Sequence, residues 1–194
     1  MGIGDWINRR RHNRGFGVQS PSAFFFVTQV LGEKLPYYAY EELNHKVKAH
    51  GGMSLKHAKD LFRITNYMQP SNCIAIASDT AAETMKAARP SVPCHNIEGS
   101  GMTEFLKYLK ECHTVDMLYI ADTPLRNAFV DAVLPHTNNS SIIIVEGIHN
   151  DGATLQWWQS VVDNPATIVT YDMYSYGILL FDKEKKKQHY ILKR

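Results

Sequence analysis

Three polar side chains that can bind metals or transfer protons lie close together in the second half of the chain. Glu146 follows an apolar run, and His149 and Asp151 come shortly after it. Carboxylate and imidazole groups at this spacing suit a divalent-ion site or a proton-transfer site. The structural interpretation, in which His149 caps the next helix or bonds to a loop carbonyl, is favoured, because polar residues gather at strand ends in any α/β protein. The catalytic candidates are therefore Glu146 and His149.

Two other acidic residues follow short apolar runs, and a third lies where a helix should begin. Glu98 directly precedes a glycine, and Asp122 ends another apolar run. Asp79 stands between Ser78 and Thr80, where its carboxylate is expected to cap the following helix. An acid at that helix N-terminus repels anions, which argues against a phosphate or dinucleotide site there.

The composition indicates one ordinary globular domain. The chain has 194 residues, of which 44% are hydrophobic and 21% charged, and its formal net charge is +2. This length allows one buried core, and so small a charge does not by itself indicate a nucleic-acid or membrane partner. Three scattered cysteines without CxxC spacing predict reduced thiols rather than disulfides or a zinc site.

Targeting and surface features point to a cytoplasmic protein. No stretch has the roughly 18 apolar residues that span a membrane, and charged residues interrupt the place where a signal peptide has its apolar core. The basic residues 9–14 and 183–187 could bind phosphate, but aromatic side chains for base stacking are scarce beside them. A solvated basic face is favoured, and a nucleic-acid partner is not expected.

Short apolar runs alternate with amphipathic segments from residue 73 onward. Strands are predicted at 73–77, 94–97, 116–121 and 141–146, with helices at 80–88, 102–112, 125–134 and 153–162. This alternation predicts a mostly parallel α/β sheet with helices on both faces. Residues 167–172 and 177–181 are joined too closely for a crossover and should pair antiparallel. A last short strand is predicted at 190–192.

The start of the chain is predicted to be a separate part of the molecule. Residues 1–53 should form a helical extension packed on a Rossmann-like domain of residues 54–194. Ser20 is a good N-cap and Pro21 a good first helical residue, so a helix should run from there to about residue 31.

The remaining residues before the sheet are expected to form an aromatic segment, a link and a helix. Residues 36–40 should pack on the main body, and residues 46–52 should form a polar, glycine-containing link. Ser54 should then cap a helix over residues 55–68, which ends before Pro70.

Several longer motifs are distinctive. They are GFGVQSPSAFFFVTQV and PYYAYEEL, HAKDLFRITNYMQPSNCIAIA, HNIEGS, DMLYIADTP, SIIIVEGIHND, and the final NPATIVTYDMYSYGILLFDKEKKKQHYILKR. Together they resemble a small bacterial group related to class I S-adenosylmethionine (SAM)-dependent O-methyltransferases, and the likeness covers nearly the entire chain. The resemblance implies a Rossmann-like methyltransferase fold whose parallel sheet ends in an antiparallel hairpin.

The resemblance implies SAM as the cofactor, held at a Gly-x-x-x-Gly turn after the first strand. Glycine allows the backbone to turn tightly and to approach the ligand. Here the acid of that strand corresponds to Ala75, and the two glycines correspond to Ala77 and Ala81. A Cβ at a position that needs positive φ costs on the order of 1 kcal/mol and intrudes on the ligand. Ala77, Ser78 and Asp79 are nevertheless the cofactor-binding candidates by position.

Other family positions are matched only in part. Glu98 corresponds to the acid that binds the ribose hydroxyls, so it is also a cofactor candidate. The acid that holds a divalent ion in metal-dependent members corresponds to Ala121. Asp122 lies one place later, where its side chain turns to the opposite face. A paired acid corresponds to Glu146 and Gly147. Asp122 is thus a further cofactor candidate, and Asp122 and Glu146 are the residues this comparison suggests for a metal, although none is expected.

The connection between the second and third strands is short. Only 17 residues separate Glu98 from Asp116. A crossover with one helix needs about 10 to 12 residues, and a further βα unit needs roughly twice that number. The related enzymes have a further helix and strand here, with a loop over the adenine. The chain is therefore expected to lack one βα unit and to leave the adenine side open.

Two functional hypotheses follow. In the first, the protein is a degenerate methyltransferase-like protein with weak or no SAM binding, which acts by binding or assembly with an unidentified small molecule, a protein or further copies of itself. In the second, it is an active SAM-dependent O-methyltransferase for a small molecule. Glu98 would then bind the ribose, with Glu146 or His149 near the acceptor.

Overall fold

A seven-stranded sheet forms the centre of the computed structural model, which describes residues 18–192. The strands are β1 (Cys73–Ile76), β2 (Cys94–Ile97), β3 (Met117–Ile120), β4 (Ile142–Glu146), β5 (Val169–Asp172), β6 (Tyr176–Leu180) and β7 (Gln188–Ile191). The helices are α1 (Pro21–Phe25), α2 (Ala39–His50), α3 (Leu55–Met68), α4 (Asp79–Ala88), α5 (Met102–Cys112), α6 (Arg126–Val133) and α7 (Gly152–Asp163). A π-helical segment, Phe26–Leu31, continues α1, and a 3₁₀ turn, Leu134–His136, follows α6.

The strand order is β2-β1-β3-β4-β6-β5-β7. Strands β1 to β4 pair in parallel, whereas β6 is antiparallel to both β4 and β5. The last strand, β7, pairs in parallel with β5. The predicted mostly parallel sheet with a C-terminal antiparallel hairpin is confirmed, and a single helix, α5, connects β2 to β3.

Helices cover both faces of the sheet, and alternate side chains of each strand point to opposite layers. In β4, Ile142 and Ile144 pack in the layer formed by α1, its π-helical continuation, α3 and α4. Ile143 and Val145 pack in the layer of α5, α6 and α7. With both faces buried, the ends of the strands are the part of the sheet that loops expose to a ligand.

The segment before α3 contains one predicted helix and one that the sequence pattern did not indicate. Ser20 caps α1 and Pro21 begins it, as predicted, and the helix continues to Leu31 with its last residues in the π form. The expectation of a polar link over residues 46–52 was wrong, because α2 extends to His50. Leu43 is the only buried residue of α2, so its sequence has little helical periodicity of apolar residues.

Ionic contacts hold these first helices against the domain. The Lys46 ammonium lies 2.7 Å from a carboxylate oxygen of Glu83 on α4. Arg63 of α3 is buried, pairs with Asp60, and donates to the carbonyl of Leu31 at 3.2 Å. Charged donors held in this way fix α2 and the end of the π-helical segment relative to the sheet.

All three cysteines are free thiols. Burial raises the pKa of Cys73 to about 12 and that of Cys94 to about 11. Burial also raises the pKa of Cys112. Thiolate, the reactive form, is therefore scarce at neutral pH. Across residues 18–192, no helix combines the length and the apolar character that crossing a bilayer requires.

The packing of β6 against α7 generates a stability prediction. A methyl group on Gly177 would lie 2.2 Å from the Cη2 atom of the buried Trp158. Gly177→Ala should therefore lower the free energy of unfolding in urea by about 1–3 kcal/mol through overpacking. Gly152→Ala, at the first position of α7, is the matched control, because nothing lies within 4 Å of its added methyl group. Equal stability of the two variants would contradict this packing.

Candidate functional site

The parallel strands β1 to β4 end at the same edge of the sheet. Four loops leave from this edge, beginning at Ala77, Glu98, Ala121 and Gly147. In open α/β sheets, ligands bind at this carboxyl edge, beside the place where neighbouring strands lead to opposite sides. That place lies between β1 and β3, because β1 is followed by β2 on one side and β3 lies on the other.

The turn after β1 has the backbone conformation of a glycine turn but contains an alanine. Ala77 has a φ of 57°, in the left-handed region, and its N–H donates to the carbonyl of Ile97 at 2.8 Å. Ala81, at the second glycine position suggested by the resemblance, lies within helix α4. Of these two alanines, Ala77 alone carries the backbone cost of a side chain at positive φ.

The loops after β1, β2 and β3 are in direct contact. The hydroxyl of Thr123 donates to the carbonyl of Gly99 at 3.2 Å. A methyl group built on Gly99 would lie 3.1 Å from Cβ of Ala77 and 2.9 Å from Oγ1 of Thr123. The backbone of Gly99 therefore lies close to both Ala77 and Thr123, beside the ends of β1 and β3.

A small cavity remains on the other side of Ala77, between the ends of β1 and β2. It has a volume of about 220 Å³, and its lining includes Ser78, Asp79, Asn96 and Glu98. The Ser78 hydroxyl accepts from the N–H of Ala81 at 3.1 Å. The prediction that Asp79 caps α4 was therefore wrong. Asp79 is the first residue of α4 and accepts a hydrogen bond from Asn96 instead.

Asp122 is held by a network around a buried arginine. Arg126 Nη1 donates to Asp122 Oδ1 at 2.8 Å and to the carbonyl of Glu146 at 3.0 Å. Asn150 Nδ2 donates to Asp122 Oδ2 at 2.5 Å. The guanidinium thus lies between the loops after β3 and β4 and forms an ion pair with the Asp122 carboxylate.

Glu146 contacts a histidine that the sequence analysis did not single out. Its carboxylate lies 3.0 Å from Nδ1 of His57 on α3, and the imidazole stacks on the ring of Tyr176 with centroids 3.9 Å apart. Burial, with the Glu146 carboxylate nearby, raises the pKa of Tyr119 well above its usual value. His57 has the apolar helix spacing of a core residue, so no local sequence signal marks it as a partner of Glu146.

His149 forms a separate pair. Its Nε2 lies 2.7 Å from Oδ2 of Asp172, at the end of β5, and its ring stacks on that of Tyr174 with centroids 5.0 Å apart. Asp172 also accepts from the N–H of Tyr174 at 2.8 Å. A carboxylate bonded to one imidazole nitrogen fixes the orientation of the ring, as in proton-transfer dyads.

The expected cluster of Glu146, His149 and Asp151 does not form. Glu146 pairs with His57, His149 pairs with Asp172, and Asp151 caps α7 by accepting from the N–H of Thr154 at 2.7 Å. The alternative in which His149 caps the next helix was wrong, because Asp151 is the N-cap of α7. Within residues 18–192, no group of three or more His, Cys, Asp or Glu side chains could hold a metal ion.

Residues 9–14 and 183–187 are the two basic segments of the sequence. Residues 9–14 lie outside the described residues. In the other segment, Lys187 donates to the carbonyls of Asn164 and Thr167, and Lys185 lies 3.2 Å from Asp182. These lysines act in part as local structural contacts.

Comparison with solved structures identifies the fold. The SAH-bound Podospora anserina methyltransferase PaMTH1 matches with a TM-score of 0.54 at 9% identity, over 84% of this chain and 96% of that one. The Bacillus cereus O-methyltransferase in complex with SAH gives a TM-score of 0.51 at 14% identity, over 82% and 97%. TomG, an O-methyltransferase from Streptomyces achromogenes involved in tomaymycin synthesis, in complex with SAM, gives 0.52 at 11% identity, over 82% and 96%. The chain has the class I methyltransferase fold.

At such low sequence identities, a shared methyltransferase fold does not show that this chain has the neighbours' activity. No family model matches the chain, and no curated protein matches its sequence. The neighbours agree with the sequence resemblance on the methyltransferase fold.

The left-handed alanine generates a second prediction. Ala77→Gly should raise the free energy of unfolding by up to about 1 kcal/mol, because glycine adopts positive φ without the Cβ clash. Ala81→Gly is the matched control at the second glycine position. It should lower stability by about 1 kcal/mol, since glycine weakens a helix interior. Both are measured by urea unfolding, and a loss of stability in Ala77→Gly would contradict the strained turn.

Proposed function

We propose that this protein uses the methyltransferase fold without methyl transfer. In this proposal SAM binds weakly or not at all, and the protein acts by binding another small molecule or a protein partner. The proposal keeps the cytoplasmic location expected from the sequence and requires no nucleic acid or membrane.

One observation carries the proposal: the backbone of Gly99 packs against both Ala77 and Thr123. A nucleoside bound at the switch between β1 and β3 needs open space above the turn after β1. Here the alanine methyl group and the loop after β2 occupy that space. The hydrogen bond from Thr123 ties this loop to the end of β3, so the residues at these strand ends argue against a fit to SAM.

The size of the remaining cavity supports the same interpretation. The space beside Ser78 and Glu98 measures about 220 Å³, whereas small-molecule and cofactor sites typically measure about 300–1,000 Å³. Among residues 18–192, the single helix α5 connects β2 to β3 and no strand pairs with the outer side of β2. In the family that the sequence resembles, a further helix and strand stand there and carry the loop over the adenine.

A second candidate function, SAM-dependent O-methylation of a small molecule, is favoured by two features. Ala77 keeps the left-handed conformation of a cofactor-binding turn, and Glu98 lines the cavity next to it. His149, oriented by Asp172, is also a suitable group for removing a proton from an acceptor hydroxyl. In this candidate, Glu98 holds the ribose and His149 is the base.

Calorimetric titration with SAM and with SAH separates the two functions. The proposal expects no binding heat with either compound at protein concentrations that would detect micromolar affinity. Micromolar binding that Glu98→Ala abolishes would overturn it and support the active enzyme. Glu104→Ala is the matched control, because Glu104 is an exposed acid on α5 away from the cavity. It should leave any such binding unchanged.

A further inference from the structure

A second cavity lies at the same edge of the sheet, between the first turns of α6 and α7. It has a volume of about 500 Å³, within the range typical of small-molecule sites. The polar groups that line it include Asp122, Arg126, Asn127, Asn150, Asp151 and Thr154. The 220 Å³ cavity beside Ala77 shares none of these residues. Most small-molecule sites are lined mainly by apolar groups. This cavity is lined mainly by polar groups, which suits a strongly hydrophilic ligand.

Arg126 forms a fixed wall of this cavity. Only 7% of the residue is exposed, and three acceptors on different elements hold its guanidinium. Two of them, Asp122 and the carbonyl of Glu146, accept from Nη1, and Thr154 Oγ1 accepts from Nη2 at 3.2 Å. The ring of Trp157 lies 5.5 Å from its Cζ atom. Such a group is positioned before any ligand arrives, which reduces the entropy cost of binding.

The hydrogen-bonding capacity of Arg126 is not exhausted. A guanidinium has five N–H groups, and three of them are used by the contacts to Asp122, Glu146 and Thr154. The buried Nε–H has no acceptor among residues 18–192. This Nε atom has almost no exposed surface, so the donor left for a ligand is the second N–H of Nη2, the nitrogen that contacts Thr154 in the cavity lining.

The charges of the cavity select against anions. Two carboxylates, Asp122 and Asp151, flank one guanidinium. The N–H of Thr154 holds the pKa of Asp151 below its ordinary value, so this group stays ionised at neutral pH. Asp151 also occupies the N-terminus of α7 as its cap, which removes the usual reason for a phosphate to bind at a helix start.

A ligand for this cavity must therefore donate to carboxylates and accept from a guanidinium or an amide. A hydroxyl group does both. Carboxylates also bind sugar hydroxyls in nucleotide-binding α/β folds. We infer that the cavity between α6 and α7 binds a polyhydroxylated ligand of about the size of one sugar, either a free monosaccharide or the sugar of a nucleoside. Asp151 and Asp122 accept from its hydroxyls, and Asn127 and Arg126 donate to them.

This inference deepens the proposed function, because it names a ligand class for a protein that acts by binding. It rests on the proposed function in one respect, which is that this ligand takes the place of SAM. The polyol site itself is independent, because the two cavities share no lining residues. Binding of SAM beside Ala77 would overturn the proposed function. It would not decide the polyol site, which is tested by NMR signals from the residues that line it.

Titrations followed by ¹⁵N NMR test the inference on the full-length protein. D-ribose, adenosine and inorganic phosphate are added in turn, and the probes are the side-chain amides of Asn127 and Asn150 and the Nε–H of Arg126. D-ribose or adenosine at millimolar concentrations should shift these signals, and phosphate should not. Shifts with ribose alone indicate a free sugar as the ligand, and tighter binding of adenosine at the same signals indicates a nucleoside.

Asp151→Asn is the decisive variant. Asparagine keeps the helix cap, so α7 should remain folded, but the charge that accepts from the hydroxyls is lost. Affinity for the polyol should fall by about tenfold or more, as expected for a lost charge-assisted hydrogen bond. Asp131→Asn, an exposed acid on α6 outside the cavity, is the matched control and should leave affinity unchanged.

Three results would overturn the inference. The first is the absence of shifts at Asn127, Asn150 and Arg126 with every polyol tested. The second is a response of these signals to phosphate, which would identify an anion site. The third is unchanged polyol affinity in Asp151→Asn when its helix content matches that of the original protein. Shifts confined to the amides of Ser78 and Asp79 would place adenosine in the cavity beside Ala77. They would also overturn the inference, because the signals of Asn127, Asn150 and Arg126 would not have moved.

Discussion

The contact of Gly99 with Ala77 and Thr123 is the constraint on which the arrangement of the strand ends depends. In a parallel sheet buried on both faces, the carboxyl edge is where loops can separate to admit a ligand. Here a hydrogen bond between the loops after β2 and β3 closes that separation over the turn after β1. A larger polar cavity lies further along the edge, at the loops after β3 and β4, where Arg126 lies.

The ends of β3, β4 and β5 contain three small polar networks instead of one catalytic cluster. Glu146 faces α3 and pairs with His57, whereas His149 turns toward the end of β5 and pairs with Asp172. Asp122 turns toward α6 and is held by Arg126. Each of these three carboxylates contacts a different cationic or imidazole group. The division distributes the acids over both faces of the sheet and leaves no shared site for a metal ion within the described residues.

Much of the fold could be predicted from the sequence, because its signals are local. The run of isoleucines in β4 and the caps Ser20 and Ser54 act within a few residues of themselves. Helix α2 was missed because its sequence has little apolar pattern: Leu43 is its only buried residue, and Lys46 contacts Glu83 on α4. In the candidate site, Ala77 has the left-handed conformation expected at the first glycine position of the family turn. However, Ser78 rather than Asp79 caps α4. The pairing of Glu146 with His57 depends on which strand lies under α3, and no local pattern carries that information.

Strand β7 has an effect at the candidate site, although it lies at the edge of the sheet. It pairs with β5 from Gln188 to Ile191, and the N–H of Leu192 donates to the carbonyl of Asp172 at 2.7 Å. Strand β5 is therefore bonded on both sides, and its backbone is protected from the fraying that affects an outermost strand. The carboxylate that orients His149 stands on this interior strand. Its position is thus anchored by residues at the far end of the described chain.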